Sequence, residues 1–413
     1  MKTFMSLCRN ICGFLLLMGT FAMAFCQETE LSLMPTDSAD QSLSMDAVYD
    51  RPFLAGQNSN VAIGGYLEAN TLYQSTDGVS EGLSFQARRL TVFLSASIAR
   101  SITFLSEVEL EDGGKELAIE FAALDIALHP AVNLRGGIIM NPIGSFNQNH
   151  DGPKWEFVDR PEVAVNLLPA TWSNAGFGIY GKAFKKEWIL GYEVYLSNGF
   201  DDRIIDNEEN KTFLPATKES TGRFEHSSNG KPLLTAKTAL RHKKFGEIGL
   251  SYMGGVYNTF RPDGLIVDKK RNTHTFAIDW SLNIHNTNTT ILGELVFVQV
   301  DVPDTYTQQF GEHQRGLFLD IIQPVFKGRI LHWPEATVNV ATRLDYVDWN
   351  VGSFRENQTN IGESIWAITP AISFRPTSQA VIRLNYRYYW LRDIINNPPS
   401  KTGAWLFGIS AYF

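Results

Sequence analysis

Trp405-Leu406-Phe407-Gly408-Ile409-Ser410-Ala411-Tyr412-Phe413 ends the chain, and its alternation decides the fold. Trp405, Phe407, Ile409, Ala411 and Phe413 fall on one face of an extended strand, whereas Gly408 and Ser410 share the other with Leu406 and Tyr412. A strand with one apolar, aromatic-capped face, ending on a bare Phe, suits a sheet that closes against lipid. A soluble antiparallel sheet can end in the same pattern, so the opposite terminus has to agree.

That terminus reads as an export signal. Lys2 and Arg9 precede an apolar run from Ile11 to Phe25, then Ala22-Met23-Ala24 and the polar Gln27-Glu28-Thr29-Glu30. A basic start, an apolar run of about 15 residues and small residues at its exit describe a cleaved secretory peptide over 1–26, cut after Ala24 or Cys26. The run is too short for a membrane anchor, which needs about 20 apolar residues. Together the two ends point to the bacterial outer membrane, with Phe413 as the mark read by the barrel-assembly machinery.

Cys8, Cys12 and Cys26 all lie in or beside the leader, so the remaining chain has neither a disulfide framework nor a cysteine metal site. No later stretch reaches the length of a membrane helix. The formal charge is −8; losing Lys2 and Arg9 makes the exported chain more acidic, a poor match for nucleic acid. No cofactor or metal is expected: the eight histidines are scattered without ligand spacing.

Residues 27–59 lack any period and are rich in Ser, Asp and Gln, which predicts a flexible periplasmic extension. From residue 60 to 413 the chain breaks into extended segments at 60–73, 83–98, 101–110, 116–128, 131–140, 174–184, 187–197 and 232–242. Further segments follow at 246–258, 271–283, 288–300, 313–326, 333–349, 361–374, 378–392 and 401–413. Every second connection is short, as at Ala99-Arg100, His129-Pro130, Lys185-Lys186 and Lys243-Lys244, while the others include the very long 141–173 and 198–231. This parity predicts an all-β transmembrane antiparallel barrel of about 16 strands, with tight periplasmic turns and longer outer loops.

Alternation also sorts lumen from lipid. An arginine facing lipid near the midplane costs roughly 2–4 kcal/mol, so the basic lumen candidates are Arg89, Arg135, Lys237, Arg241, Arg343, Arg383 and Arg387. Acidic candidates include Glu107, Glu109 and Glu120, with Glu68, Asp125, Glu193, Asp279, Glu294, Asp320 and Asp345 beside them. Such charges either bias ion traffic or pair with one another across the wall. Tyr66, Trp188, Trp280, Trp366, Trp390 and Trp405 suit interfacial girdles. The Pro- and aromatic-rich stretch 141–173 is expected to fold inward as a constriction loop; its candidate residues are His150, Asp151, Lys154, Trp155 and Arg160.

Gln86-Ala87-Arg88-Arg89-Leu90-Thr91-Val92, then Leu134-Arg135-Gly136-Gly137-Ile138 leading into Asn141-Pro142-Ile143-Gly144, resembles the phosphate-selective porin O/P family. The loop Asn147–Pro161 followed by Gly176-Phe177-Gly178 adds to the resemblance, which spans most of 60–413. It implies a 16-stranded homotrimeric channel whose basic lumen and loop residues hold anions such as phosphate. The chain departs from that pattern in its loop, where only Lys154 and Arg160 stand among Asp151, Glu156, Asp159 and Glu162.

Gly176-Phe177-Gly178-Ile179-Tyr180-Gly181 matches the dinucleotide fingerprint letter for letter but runs into strand-like sequence, not a helix that would receive a pyrophosphate. His150-Asp151 is the best catalytic pair, yet no nucleophile or metal cluster accompanies it. The expectation is therefore a non-enzymatic outer-membrane barrel that passes small hydrophilic solutes or ions. A barrel-borne hydrolase and a plugged barrel with a structural or adhesive role are the alternatives.

Overall fold

The computed structural model describes residues 42–49, 51, 61–220 and 222–413; the expected leader and most of the extension lie outside the described residues. Sixteen antiparallel strands form one closed barrel, each paired to its neighbours in the chain, with β1 (Val61–Thr76) zipped to β16 (Ser400–Tyr412) across the seam. Closure leaves no strand edge unpaired, the condition for backbone crossing hydrocarbon. Phe413 finishes the seam: its amide donates to the Gly65 carbonyl at 2.9 Å, and its own carbonyl accepts the Gly65 N–H at 3.1 Å.

The decisive strand faces as its alternation requires. Trp405, Phe407 and Ile409 are 51%, 46% and 45% exposed, while Leu406 and Ser410 are 2% and 3% exposed. The same outward apolar row continues through Leu384, Ile372, Val340 and Leu344, forming the band that meets lipid. The barrel is thus a bacterial outer-membrane barrel, with its short turns gathered at one end and its longer loops at the other.

Two local expectations need correcting. The first outer connection, read as 74–82, is only Asp77-Gly78, with φ of 48° and 87° at the two residues. Positive φ at both central positions is the type I′ geometry that Asp-Gly favours in two-residue hairpins. Tyr66 does not join a girdle; it is 0% exposed to solvent or lipid and its hydroxyl donates to Glu109 inside the barrel at 3.3 Å. It shares parity with Glu68 and Asn70, both inward.

The loop over 141–172 folds into the lumen, as expected, because the wall supplies acceptors for its backbone. Glu294 on β11 (Thr289–Val300) accepts the Ser145 and Phe146 amides at 2.8 and 3.2 Å. Asp345 on β13 (Trp333–Asp348) accepts the Glu162 amide at 3.0 Å, and Asn385 on β15 (Ala380–Arg392) the Val158 amide at 2.6 Å. Its apolar side chains Phe146, Trp155, Leu167 and Trp172 pack with Phe318 and Val296 of the wall as a core inside the barrel. Gly316 on β12 (His313–Ile330) makes room, since a Cβ there would stand 2.6 Å from Val163 Cγ2. Residues 198–232 lie over the same core through Phe200, Ile204 and Leu214, and Gln314 donates to the Thr212 carbonyl at 2.7 Å.

The extension departs from its expected flexibility over 42–49 and 51, which pack inside the lumen. Leu43 and Met45 join Ile189 and Ala239; Val48 joins Leu105, Phe121 and Met140. Polar ties accompany them: the Ser44 amide reaches Glu247 at 3.0 Å, Lys154 Nζ donates to the Ala47 carbonyl at 3.1 Å, and Arg241 donates to the Ser42 carbonyl. This strap shows no period because its apolar residues answer pockets in distant strands rather than a helix face or a pleat.

Candidate channel constriction

Every basic lumen candidate points inward, and each meets a carboxylate or a carbonyl. Arg343 forks onto Asp320 with both contacts at 2.7 Å and donates to the Asp159 carbonyl at 2.8 Å. Arg135 forks onto Asp125 at 2.6 and 2.8 Å, with Glu193 at 3.5 Å. Lys237 spans the Gly144 carbonyl at 2.5 Å and Asp279 at 3.0 Å. Arg383 bonds Glu68 at 2.9 Å and offers its other terminal nitrogen to the carbonyls of Gly152, Trp155 and Phe157 at 3.1, 3.3 and 2.7 Å. Arg383 is thus a clamp on the loop rather than a free charge in the water path. Glu120 is buried, 3.5 Å from Lys218 of the second long loop.

The charged neck lies between loop residues 157–162 and the wall of β1, β2 (Val79–Ala99) and β15. Arg387 contacts Asp159 at 3.2 Å and also pairs with Glu162. Arg89 bonds Glu68, Glu109 and Glu111 at 3.1, 3.0 and 2.9 Å, and Arg160 stands 3.7 Å from Glu109. Simple alternation sends Arg88 to lipid, yet it reaches Asp159 at 2.8 Å and the Val158 carbonyl at 3.0 Å. The cause is a bulge: Glu68 opposes Arg89 but Ala69 opposes Ala87, so Arg88 is the extra residue and both arginines enter the lumen. Burial disfavours the Asp159 carboxylate, but Arg88 and Arg387 outweigh it and hold its pKa at about 2, so it stays ionised.

Space follows these charges. An outer vestibule of about 690 Å³ is lined by Glu162, Asn166, Lys211, Trp349, Arg387 and Arg392. A second, of about 560 Å³, is lined by Arg88, Arg89, Glu111 and Lys115. Beside the first vestibule, which shares Glu162 and Arg387 with it, a cavity of only about 10 Å³ lies among Arg160, Arg343, Asp345 and Arg387, room for roughly one water. A further cavity of about 330 Å³ opens beside the strap at Ser42, Lys154, Arg241 and Glu247.

His150 and Asp151 lie deeper. The His150 Nδ1 is 2.8 Å from the Asn147 carbonyl and its Nε2 3.2 Å from Glu107, so both nitrogens face acceptors and the imidazolium satisfies both. Burial lowers the pKa of this ring, but the Glu107 carboxylate prevails and raises it above the ordinary value. A raised folded-state pKa gives stability that is fully present below the unfolded value of about 6.5 and lost as pH rises through the folded value. The detergent-solubilised barrel is expected to melt progressively lower across that rise, and His150→Gln to flatten the dependence; equal slopes in both proteins would refute the ion pair. Asp151 is engaged by Arg51 and by the Tyr412 hydroxyl at 2.7 Å, so the pair is built into a buried network rather than aimed at a substrate. Trp155 is packed on Phe146 and Phe318, with its indole N–H on the Asn149 carbonyl at 2.7 Å.

The fingerprint Gly176–Gly181 lies within β6 (Ser173–Lys185), without the helix a dinucleotide needs. Its glycines admit the neighbouring strand: a Cβ on Gly178 would stand 2.0 Å from the Val194 carbonyl oxygen.

No family model matches the chain. A curated relative, an uncharacterized protein of Aquifex aeolicus (strain VF5), is 36% identical over 146 residues; the match spans 34% of this chain and 32% of that protein, about a third of its length. Solved structures share the fold. The anion-selective porin from Comamonas acidovorans superposes with a TM-score of 0.54 at 11% identity, covering 86% of this chain and 99% of that one. Pseudomonas putida OprB gives 0.53 at 9% identity, covering 86% and 94%. The outer membrane channel DcaP of Acinetobacter baumannii gives 0.52 at 12%, covering 87% and 100%. The chain has the fold of outer-membrane porins.

Proposed function

We propose that this barrel is a non-enzymatic, passive channel for ions and small hydrophilic solutes, narrowed at the Arg88–Asp159–Arg387 neck. The observation that carries it is the inserted loop, which leaves a charged neck at Asp159, Glu162 and Arg387 beside a vestibule of about 690 Å³. Lumen charges bias such traffic without energy input or covalent chemistry. Phosphate selectivity draws less support, because the lumen arginines already face carboxylates and a phosphate has to displace them. A homotrimer follows from the family resemblance and is testable by native mass in detergent. The alternative plugged barrel is favoured by the strap.

Planar-bilayer recording tests the proposal. Stepwise conductance in the native protein supports it, and silence in native and strap-free protein alike sinks it. Arg88→Gln with Arg387→Gln is expected to move the reversal potential toward cations, since Asp159 and Glu162 lose their partners. An unmoved potential removes the neck from selectivity.

A further inference from the structure

The strap ends in the most enclosed cation of the described residues outside the wall. Arg51 is 1% exposed. Its Nη2 lies 2.8 Å from Glu107 and 2.6 Å from one Asp151 oxygen, while its Nε lies 3.0 Å from the other. The guanidinium carbon sits 3.5 Å from the centre of the Phe93 ring and 5.7 Å from that of Phe121. Two carboxylates in fork geometry beneath aromatic faces suit a planar guanidinium, and suit the point charge of an ammonium far less.

The receptor is assembled without the strap. Glu107 comes from β3 (Ile102–Glu111) and is held by His150 at 3.2 Å; Asp151 comes from the inserted loop and is held by Tyr412 of β16 at 2.7 Å. Phe93 and Phe121 belong to the wall. The other charged tie of the strap, Lys182 to Asp46, is part-exposed at 25% and 16%, the kind of pair that contributes little.

We infer that Glu107, Asp151, Phe93 and Phe121 form a guanidinium-binding site, with Arg51 its tethered occupant, and that a free guanidinium compound competes for it and loosens the strap. The binding claim stands on this geometry alone; only its effect on current rests on the proposed channel.

Calorimetric titration of purified Arg51→Ala barrel with free arginine and, separately, with lysine tests the site. Arginine is expected to bind at least about tenfold more tightly than lysine, given its fork and flat face. Native protein, its site filled, is expected to bind arginine more weakly, and adding Asp151→Asn to Arg51→Ala to abolish binding. If Arg51→Ala does not fold, Arg51→Lys keeps a cation between the two acids while giving up the fork, and the same ranking is expected there. Equal binding of arginine and lysine, binding indifferent to Asp151→Asn, binding of a divalent cation but not arginine, or no binding to either folded variant overturns the assignment. Current recorded from the same preparations separates the two claims: arginine binding by a barrel that never conducts keeps the site and removes the channel, whereas a conducting barrel deaf to arginine does the reverse.

Discussion

Arg383→Ala is expected to free the inserted loop, lowering the melting temperature of the barrel and raising its single-channel conductance several-fold with added noise. Arg383 is 1% exposed and ties Glu68 of β1 to three loop carbonyls. Removing one partner of a buried charge pair costs about 3–5 kcal/mol, because the other charge is left uncompensated. Here Arg89 still reaches Glu68 at 3.1 Å, which puts the loss toward the lower end of that range. The carbonyls of Gly152, Trp155 and Phe157 then lose their shared donor, while Arg375 and Asn385 still hold the neighbouring Pro153 and Glu156 carbonyls at 2.7 and 3.4 Å. Adding Glu68→Gln to Arg383→Met is expected to recover part of the melting temperature but not the closed loop. Native conductance and native melting in Arg383→Ala would show that the clamp does not hold the constriction.

The neighbouring position gives the opposite test. Leu384 is 44% exposed and belongs to the outward apolar row, so Leu384→Arg sets a charge against hydrocarbon. A basic residue at the midplane of a barrel's lipid face costs roughly 2–4 kcal/mol. The expected result is a lower denaturant midpoint in lipid vesicles, with little change in conductance if the variant folds. Indifference to this change in vesicles would mean that Leu384 does not face acyl chains. One residue apart, an arginine is therefore required on one face and excluded from the other.

What was legible in the sequence followed from period and parity. The outward row of β16 read correctly because a lipid-facing strand demands apolar residues at every second position, and local sequence shows that directly. Arg383 and Arg387 were placed inside by the same rule. The rule failed at Arg88, because one bulge shifts the parity, and nothing in the letters of Gln86-Ala87-Arg88-Arg89 marks which arginine is extra. It was available but unused at Tyr66, whose parity with Glu68 sends it inward. The Asp77-Gly78 hairpin was likewise written in its turn chemistry.

The sequence by itself determined that this chain is an antiparallel barrel of 16 strands and which way most of its charges face, since each of those depends on neighbours within a few residues. Only the tertiary structure decided what the lumen charges do. Arg51 finds Glu107 and Asp151, Arg383 finds the loop carbonyls, and Asp159 finds Arg88 and Arg387. Those partners are tens to hundreds of residues apart, and the closure of the sheet, rather than any local pattern, brings them within reach of a hydrogen bond.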